Sequence, residues 1–465
     1  MIGGGASGLA AACAAARAGA DVVILEQNAR VGRKILTTGN GRCNLSNEDM
    51  SEDHYHGKDP GFVREALDFS GVSETLAWFG EMGLVCAAEE GRVYPFGGQA
   101  SAVLDVLRLE AGRLGVRILT GQAVKRLEKA GDGFRIYPRQ GETLSASRAI
   151  VAAGGLASPF SAPDGGASGL DLMKRLGHRV RGPFPALVQI RSESPYMKAL
   201  KGVRADARIV LEAGGGIYER AGELQFTGNG VSGVPAMDLS GFLYDDFGCP
   251  RKDAEAYIDF VPDTEFRDLA VFLSERKARL AGAERAGSPA VDTARDNPPA
   301  ADIELKNRQA AGLGRVNQPA GAERAGIQAV DAGRNNPPAA DMERYMTGFL
   351  HKALGVVLVK AAGIDLRAPA AGIGEKRILI LAGTIKNFRF PVSGTNGFRD
   401  AQVMGGGLLT EEFDPATMES RLVRGLYACG EILDIYGDCG GYNLQWAWSS
   451  GRLAGARAAE SLRVG

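Results

Sequence analysis

The sequence predicts an α/β protein in which one parallel-sheet domain carries both ends of the chain and a second domain is inserted into it. Two observations support this fold class. The first 26 residues follow the order strand, glycine-rich turn, helix, strand and acidic residue. Glycine-rich, sheet-like sequence returns from about residue 394, after a middle region of different texture. At 465 residues, the chain is long enough for two or three domains.

The chain opens on a glycine-rich turn with the spacing Gly-x-Gly-x-x-Gly. A helix of small residues is predicted over residues 9–18, and an apolar strand over residues 22–25 ends at Glu26. This order is typical of a dinucleotide-binding βαβ unit. The strand before the turn is reduced to Met1 and Ile2, so we do not expect an intact first strand.

The three glycines of such a unit have separate roles. Gly3 permits the tight turn, Gly5 lets the backbone approach a pyrophosphate, and Gly8 lets the helix pack close to the sheet. The helix N-terminus offers N–H groups and the positive end of its dipole to the phosphates. Glu26 would accept hydrogen bonds from a ribose diol.

Composition and charge exclude several classes of protein. The chain has 54 Lys and Arg against 55 Asp and Glu, which leaves no basic surface for nucleic acid or an anionic membrane. It has no run of about 18 apolar residues and no basic N-terminal region followed by an apolar segment. We therefore expect a cytoplasmic protein with a small-molecule substrate and with neither a nucleic-acid nor a membrane partner. The oligomeric state is not indicated.

Cysteine and histidine patterns do not predict a redox or metal centre. None of the six cysteines forms a Cys-x-x-Cys pair, which argues against a dithiol centre. His54 and His56 supply two metal ligands at most, without partners nearby in the sequence. We therefore expect no metal site.

The predicted cofactor domain is discontinuous. Its first part covers residues 1–184, where strands alternate with helices, and its second part covers residues 394–465. In the first part, helices are predicted over residues 63–80 and 100–114, and strands over residues 116–120, 123–128, 133–138 and 149–153.

The inserted domain covers residues 185–393 and has two predicted parts. A β-barrel part covers residues 185–262 and 375–393, and a helical part covers residues 263–374. The barrel strands are predicted over residues 186–191, 204–212, 215–220 and 256–261, and the helices over residues 266–280 and 342–360.

A duplicated segment lies within the helical part. Residues 282–302 recur as residues 321–341 with 16 of 21 positions identical, and no aromatic residue lies between 282 and 341. Such a segment cannot bury enough apolar area to offset its ordering entropy. We predict that residues 282–341 form a disordered insert between two helices. The alternative is a partner-binding tail.

A second glycine-rich constellation lies near the C-terminus. A short apolar strand closes on Gly430 and Glu431, and a turn at Gly440 and Gly441 opens a helix that runs to about residue 462. A carboxylate beside a glycine suits hydrogen bonding to a polyol such as the ribityl chain of a flavin. The helix start aims N–H groups and positive dipole at an acceptor oxygen, which would stabilise a reduced flavin. The alternative is a strand, loop and helix that close an ordinary sheet.

Several sequence blocks together resemble one flavoprotein family. They are GGGASGLAAA, GRKILTTGNGRCNLSN, AAGGLASP, GTIKNFRFPVSGTNGFRDAQVMGGGL and GGYNLQWAWSSG. The family includes aminoacetone oxidase and the bile-acid flavin reductases, and many members are known only as FAD-binding or NAD(P)/FAD-dependent oxidoreductases. The resemblance implies a glutathione-reductase-like, FAD-binding Rossmann domain with an inserted β-barrel plus helical domain.

The resemblance also implies which residues bind the FAD. The pyrophosphate would lie on Gly3, Gly5, Ala6, Ser7 and Gly8, and the adenosine ribose on Glu26. Residues that would line the cofactor elsewhere are Arg33, Lys34, Thr38, Gly39, Asn40, Val124, Ala153 and Gly154. Those near the ribityl and isoalloxazine portions would be Gly430, Glu431, Gly441, Asn443, Leu444 and Gln445.

A few positions outside these blocks bear on chemistry. Gly228 stands where many family members have His, so a His at that position cannot act here. Lys386 and Arg389 either face a substrate or carry charge at a strand edge. The sequence identifies no catalytic acid or base.

The predicted function is a FAD-dependent oxidoreductase that acts on a small organic substrate by hydride transfer at flavin N5. NAD(P)H is a candidate electron donor. Two alternatives stay open: a flavin-binding protein with a non-redox or RNA-modifying role, and an NAD(P)-dependent dehydrogenase without flavin.

Overall fold

The computed structural model describes residues 1–157, 168–285 and 341–463. The chain divides into two compact units. The first unit is built from residues 1–189, 237–251 and 394–465, and the second from residues 190–236 and 252–393. All but the ends of the predicted insert at 282–341 lies outside the described residues, so its disorder stays a prediction.

Helices and strands are distributed over both units. The α-helices are α1 Ala6–Arg17, α2 Arg64–Phe69, α3 Val72–Glu81, α4 Ala100–Arg113, α5 Gly169–Arg175, α6 Tyr196–Leu200, α7 Val234–Leu239, α8 Phe266–Arg285, α9 Met342–Tyr345, α10 Lys352–Ala361, α11 Glu375–Lys386 and α12 Tyr442–Glu460. The strands are β1 Val23–Leu25, β2 Ser46–Asn47, β3 Tyr55–His56, β4 Cys86–Glu89, β5 Arg92–Pro95, β6 Arg117–Leu119, β7 Val124–Ala130, β8 Gly133–Pro138, β9 Leu144–Ala146, β10 Ala149–Val151, β11 Val180–Ala186, β12 Ile190–Arg191, β13 Arg204–Ala213, β14 Gly216–Thr227, β15 Gly230–Ser232, β16 Glu255–Asp259, β17 Phe388–Pro391, β18 Gly394–Thr395, β19 Val403–Leu408, β20 Leu426–Ala428 and β21 Tyr436–Gly437.

A parallel sheet forms the centre of the first unit. β1 pairs with β6, and β10 pairs with β20. Ile2 forms single parallel bridges to Leu25 and Val151, which joins the two pairs in the order β6, β1, Ile2, β10, β20. The predicted Rossmann-type sheet is confirmed, and its short first strand is a one-residue bridge.

Helices α1 and α12 pack against each other through small residues. Six of the eight residues in the run AAACAAAR of α1 are alanine, and α12 contributes Gly451 and Gly455. A Cβ atom at Gly451 would lie 2.5 Å from the backbone oxygen of Ser7, and one at Gly455 would collide with the backbone oxygen of Ala11. The two helix backbones approach this closely because no side chain stands between them.

Smaller antiparallel pairings complete the first unit. β7, β8 and β9 form one three-stranded sheet, and β2, β5 and β4 form another. β11 pairs with β19, and β3 pairs with β21. The β3–β21 pair bears on the site, because it sets Tyr55 and His56 opposite Gly437 and Tyr436.

The strands of the second unit form an antiparallel sheet in the order β17, β16, β13, β14, β15, β12. Alternate residues of β13, Ala207, Ile209 and Leu211, are fully buried, as expected for one face of a strand. These pairings form an antiparallel sheet and do not confirm the predicted β-barrel part.

Residues 375–386, predicted as part of the barrel, form helix α11 instead. The buried residues Ile378, Leu381, Ala382 and Ile385 recur at helical spacing, which outweighs the strand-like apolar content of the segment. The second predicted barrel segment covers residues 375–393, and the strand it contributes to this unit is β17. The second unit also begins at residue 190 rather than 185, and residues 237–251 return to the first unit.

Two predicted helices are each broken in two. The helix predicted over residues 63–80 ends at α2 and restarts as α3, because Ser70 leaves the helical conformation with φ −150° and ψ 78°. The helix predicted over residues 342–360 is broken at Gly348, which has φ 81°. His351 then caps α10, where its ring accepts a hydrogen bond from the backbone N–H of Ala353 at 3.2 Å.

Within residues 1–157, 168–285 and 341–463, no helix is both long enough and apolar enough to cross a membrane.

The α1–α12 contact predicts a specific cost for one methyl group. We expect Gly455→Ala to lower the free energy of unfolding by about 1–3 kcal/mol, because the new Cβ would meet rigid backbone rather than a movable side chain. Gly112→Ala is the matched control, since Gly112 also lies in a helix but has no atom within 4 Å of an added Cβ. Denaturant unfolding of both variants checks this, and equal stabilities would contradict the close packing.

Candidate functional site

The glycines of the N-terminal turn have two kinds of surroundings. Gly3 and Gly8 lie against backbone atoms, whereas Gly5 faces open space. Gly3 has φ 99°, and a Cβ there would collide with the backbone oxygen of Ala152. A Cβ at Gly8 would collide with the backbone oxygen of Gly3. Gly5, the N-cap of α1, has no atom within 4 Å of an added Cβ. The turn therefore leaves room for a ligand at Gly5, beside the helix N-terminus.

Glu26 directly follows β1, and its carboxylate points towards the N-terminal glycine-rich turn. Its Oε2 accepts a hydrogen bond from the backbone N–H of Gly4 at 2.8 Å. Its Oε1 accepts from the backbone N–H of Asn28 at 2.8 Å and from the Asn28 side chain at 2.7 Å. A carboxylate has about four lone-pair positions, so room for a ribose hydroxyl remains beside these three bonds.

An ion pair joins two distant parts of the predicted site. Lys34 Nζ lies 2.6 Å from Glu431 Oε2, and Glu431 Oε1 accepts a hydrogen bond from the backbone N–H of Met404 at 2.8 Å. The neighbouring Gly430 has φ 76°, and a Cβ there would lie 2.5 Å from Ser7 Oγ. The N-terminal turn and the C-terminal Gly-Glu motif thus meet at one place.

The loop that carries Thr38 has an unusual backbone. Gly39, Asn40 and Gly41 follow one another with φ of 54°, 54° and 84°, and Cys43 has φ 61°. Left-handed conformations at residues other than glycine cost free energy and concentrate at functional sites. Cys43 itself is inert as a nucleophile, because burial raises the pKa of its thiol to about 12.

The N-terminus of α12 meets this loop through Asn44. Gly441 caps the helix with φ 103°. A Cβ at Gly441 would lie 2.8 Å from Asn44 Oδ1, and one at Gly39 would lie 2.9 Å from the Asn44 backbone nitrogen. Asn44 Oδ1 is buried and has no hydrogen-bond partner within the described part of the chain. An acceptor without a partner beside a helix N-terminus is a place where a polar ligand would be expected.

Comparison with known proteins decides the family. Residues 1–457 match the family described as HI0933-like protein Rossmann domain. The chain belongs to the HI0933-like family. The predicted resemblance is confirmed, and with it the predicted class of FAD-dependent oxidoreductase.

Three curated relatives are similar over nearly their full lengths. A 3-dehydro-bile acid delta(4,6)-reductase from Clostridium scindens is 37% identical, over 99% of this chain and 98% of its own. Ribosomal RNA dihydrouridine synthases from Haemophilus influenzae and Escherichia coli are each 27% identical, over 97% of this chain and 95% of their own.

The site of this HI0933-like protein fits a FAD. Gly5 provides an open backbone cradle at a helix N-terminus, as a pyrophosphate requires. Glu26 retains acceptor capacity at the end of the second strand of the sheet, as a ribose requires. At the other end of the site, Asn44 Oδ1 offers a hydrogen-bond acceptor and the first turn of α12 offers N–H donors. Together they suit a cofactor ring that carries both donor and acceptor groups.

The structure shows which protein groups the Gln445 side chain contacts. This side chain is fully buried, and its Oε1 accepts a hydrogen bond from Ser46 Oγ at 2.8 Å. Its Nε2 donates to the Ser70 backbone oxygen, Thr75 Oγ1 and Ser449 Oγ at 2.8–3.0 Å. The amide is saturated by protein groups, so the side chain supports the helix start, and contact of Gln445 with a cofactor stays a prediction that would have to use its backbone.

Other predicted side chains are also turned into the protein. Asn443 holds the preceding loop, because its Oδ1 accepts from the Gly437 N–H at 2.8 Å and its Nδ2 donates to the Gly437 oxygen at 2.7 Å. Leu444 packs against one hydrophobic core of the first unit, and Val124 lies in the other. Contacts of these three residues with a cofactor would have to use their backbone.

The remaining predicted residues occupy accessible positions. Gly154 has φ 68° and no atom within 4 Å of an added Cβ, which leaves the backbone after β10 and Ala153 open to a ligand. Arg33 is exposed and donates to Asn28 Oδ1 at 3.1 Å, next to Glu26. Their roles as cofactor ligands stay predictions.

Lys386 and Arg389 carry charge within the second unit. Lys386 Nζ lies 2.7 Å from Asp259 Oδ2 and donates to two backbone oxygens at 2.7–3.0 Å. Arg389 pairs with Glu255 at 3.2 Å, on the neighbouring strand. These contacts favour a structural role over a substrate contact. Arg389 lies on the end strand β17, as the strand-edge interpretation requires, whereas Lys386 is the last residue of helix α11.

One cluster near α12 was not predicted. His56 Nε2 lies 2.6 Å from Asp438 Oδ1, and His54 Nδ1 lies 3.4 Å from Asp438 Oδ2. His54 Nε2 lies 3.4 Å from Asp49 Oδ2. The hydrogen bond to Asp438 raises the pKa of His54 above its ordinary value. The sequence shows both histidines, but the β3–β21 pairing that brings Asp438 to them leaves no local signal.

A second histidine cluster has the form of a catalytic triad but is buried. His178 Nδ1 lies 3.0 Å from Glu412 Oε2, and its Nε2 lies 3.0 Å from Ser420 Oγ. That Oγ already accepts the backbone N–H groups of Leu422 and Val423 at 3.1 and 2.8 Å. Ser420 therefore has a structural role in its turn.

The open face at Gly5 predicts a variant that folds but does not bind. We expect Gly5→Val to retain its thermal midpoint within a few degrees, because Gly5 has φ −78° and no steric neighbour. It should lose FAD, because the side chain would occupy the phosphate site. Gly374→Val is the matched control, an open N-cap glycine with φ −70° in the second unit. Flavin absorbance per protein, measured with the melting curve, checks this. Full flavin occupancy in Gly5→Val would refute the assignment.

Burial of His178 predicts a pH dependence of stability. Burial lowers the pKa of His178 below its ordinary 6.5, so as the pH falls through about 6.5 the unfolded chain binds the proton first. Stability from the neutral ring is present above that pH and is lost below it, by at most about 1.4 kcal/mol per pH unit. His178→Gln should remove this part of the slope in denaturant unfolding between pH 5 and 7. Identical slopes in both proteins would contradict the buried neutral ring.

Proposed function

We propose that the protein reduces a carbon–carbon double bond conjugated with a carbonyl group in a small organic molecule. The observation that carries this proposal is the 37% identity, over 99% of this chain, to a protein named as a bile-acid delta(4,6)-reductase. The two other relatives are named as dihydrouridine synthases. Both names describe the addition of two hydrogens to a double bond, so the shared chemistry is more general than either substrate.

The reaction class sets three requirements on the site. Hydride must reach the carbon β to the carbonyl, negative charge must be stabilised on the carbonyl oxygen, and a proton must reach the α-carbon. Reduced FAD, when bound, supplies the hydride from its N5, and NAD(P)H is the proposed source of its electrons.

Residues of this chain would bind and orient the cofactor from both ends. The turn at Gly5 and the N-terminus of α1 receive the pyrophosphate, and Glu26 receives the ribose. The Lys34–Glu431 pair stands where the resemblance places the ribityl chain. The N-terminus of α12 directs positive dipole and N–H groups to the far end, where it stabilises negative charge.

Uridine in ribosomal RNA is the second candidate substrate, favoured by the names of two relatives. Those relatives are less similar, at 27% identity. The chain also has 54 basic against 55 acidic side chains, which is a poor match for the phosphate backbone of RNA. The small-molecule substrate and the cytoplasmic location therefore remain part of the proposal.

Anaerobic absorption spectra test the proposal. We expect the flavin bands of the purified protein to bleach on addition of NADH or NADPH. They should return on addition of a 3-oxo-Δ4,6 bile acid, with a product two hydrogen atoms heavier by mass spectrometry. Return of the bands with deproteinised ribosomal RNA, and not with the steroid, would favour the second candidate. No return with either acceptor would contradict both.

A further inference from the structure

Four side chains gather at the start of α12, outside the residues assigned to the cofactor. His54 directly precedes β3 and His56 belongs to it. The backbone N–H of Asp438 donates to the His54 oxygen at 2.9 Å. The Asp438 carboxylate lies between the two imidazole rings. Tyr442, the first residue of α12, stacks on His54 with ring centroids 4.2 Å apart and planes 18° apart.

The Tyr442 hydroxyl differs from the rest of this side chain. The residue is only 5% exposed, yet its hydroxyl makes no hydrogen bond to any residue that the structure describes. The side-chain polar atoms that are both fully buried and unpaired within the described residues are Asn44 Oδ1 and Trp446 Nε1. The Tyr442 oxygen is therefore the accessible end of a buried ring, next to the Gly441 cap.

The proposed function lacks a proton donor, and this hydroxyl meets the chemical requirements for one. Asn44, the other polar side chain beside Gly441, carries no acidic proton. Both ring nitrogens of His54 and the Nε2 of His56 contact carboxylates, so these nitrogens already have protein partners. Tyr442 alone in this group presents an O–H without a protein acceptor among the described residues.

We propose that Tyr442 is the catalytic acid that protonates the α-carbon of the substrate, and that His54, held by Asp49 and Asp438, is its positioning residue. This inference rests on the proposed function. It also assigns His56 a role, since its 2.6 Å bond to Asp438 fixes the carboxylate that orients His54.

The step balances in atoms and electrons. Hydride from reduced flavin forms a C–H bond at the β-carbon, and the electron pair of the double bond moves to give an enolate. The enolate α-carbon then takes the proton of Tyr442, so the O–H bond breaks and its electron pair stays on the phenolate oxygen. Water returns a proton to the phenolate, and the substrate has gained two hydrogens.

The surroundings of Tyr442 suit this role. Burial, with smaller contributions from Asp49, Asp438 and Asp238, raises the pKa of Tyr442. The hydroxyl therefore stays protonated at neutral pH and yields its proton only to a strong base such as an enolate. Arg92 acts in the opposite sense. Protonated His54 against the ring face adds positive charge that stabilises the phenolate.

Tyr442→Phe is the decisive variant, because it removes only a hydroxyl that has no partner among the residues the structure describes. We expect the rate of flavin reoxidation by a 3-oxo-Δ4,6 bile acid to fall about 100-fold or more. Flavin reduction by NAD(P)H should be unchanged, and so should reoxidation by ferricyanide, which takes electrons without a carbon proton. Tyr137→Phe is the matched control. Tyr137 lies in β8, and the guanidinium of Arg126 lies over its ring at 3.9 Å, as the His54 ring lies over that of Tyr442.

The outcomes separate the inference from the function on which it rests. Wild-type rates with the steroid in Tyr442→Phe would overturn the inference and leave the proposed function standing. Equal losses with the steroid and with ferricyanide would show a structural role only, and would overturn it as well. A wild-type protein that reduces no enone would remove the proposed function, and the inference with it.

His54→Gln tests the positioning role through the pH profile. In the wild type, steroid reduction should decline as the pH rises through the raised pKa of His54, since the positive charge is then lost. The variant should be slower at low pH and lack this decline. A variant with the wild-type pH profile would show that His54 does not act on Tyr442.

Discussion

The close packing of α1 on α12 is the contact on which the rest of the first unit depends. Gly451 and Gly455 place no side chain between the helices, so backbone meets backbone at Ser7 and Ala11. Ser7 also belongs to the N-terminal turn, and its hydroxyl lies 3.5 Å from the oxygen of Cys429, 422 positions away in the sequence. Two glycine-rich motifs from opposite ends of the chain therefore share one surface, as a cofactor held at both ends requires.

Buried hydrogen bonds fix the second end of this surface. Gln445 ties α12 to Ser46 and Ser70, and Trp448 donates to the Leu45 oxygen at 3.0 Å. A saturated polar network in a dry interior specifies a single arrangement of its members. The left-handed residues of the neighbouring loop, Asn40 among them, persist because this framework holds them. Such support positions polar groups before a ligand arrives, which lowers the ordering cost of binding.

The sequence predicts the backbone of the site better than its side chains. The roles of Gly3, Gly5 and Gly8 follow from local geometry, because each depends on the space beside one Cα. Side-chain direction at a helix start depends on the tertiary neighbours, so the sequence does not show that the Gln445 amide bonds to Ser46, Ser70 and Thr75. Residues 375–386 show a related difficulty, since a short apolar run has strand and helix interpretations until its packing partners are known. Pairing of β3 with β21 has no local signature at all.

Two histidine clusters in the first unit differ in how accessible their partner oxygen is. This difference distinguishes a structural role from a catalytic one. His178 between Glu412 and Ser420 has the distances of a nucleophilic triad. Its serine is buried, and the serine oxygen receives two backbone N–H groups, which gives Ser420 a structural role in its turn. His54 also lies between two acids, but the ring stacked on it, Tyr442, ends in an oxygen that is not among the fully buried, unpaired atoms of the described residues. A proton donor needs such an open end, because its proton must reach an atom outside the protein.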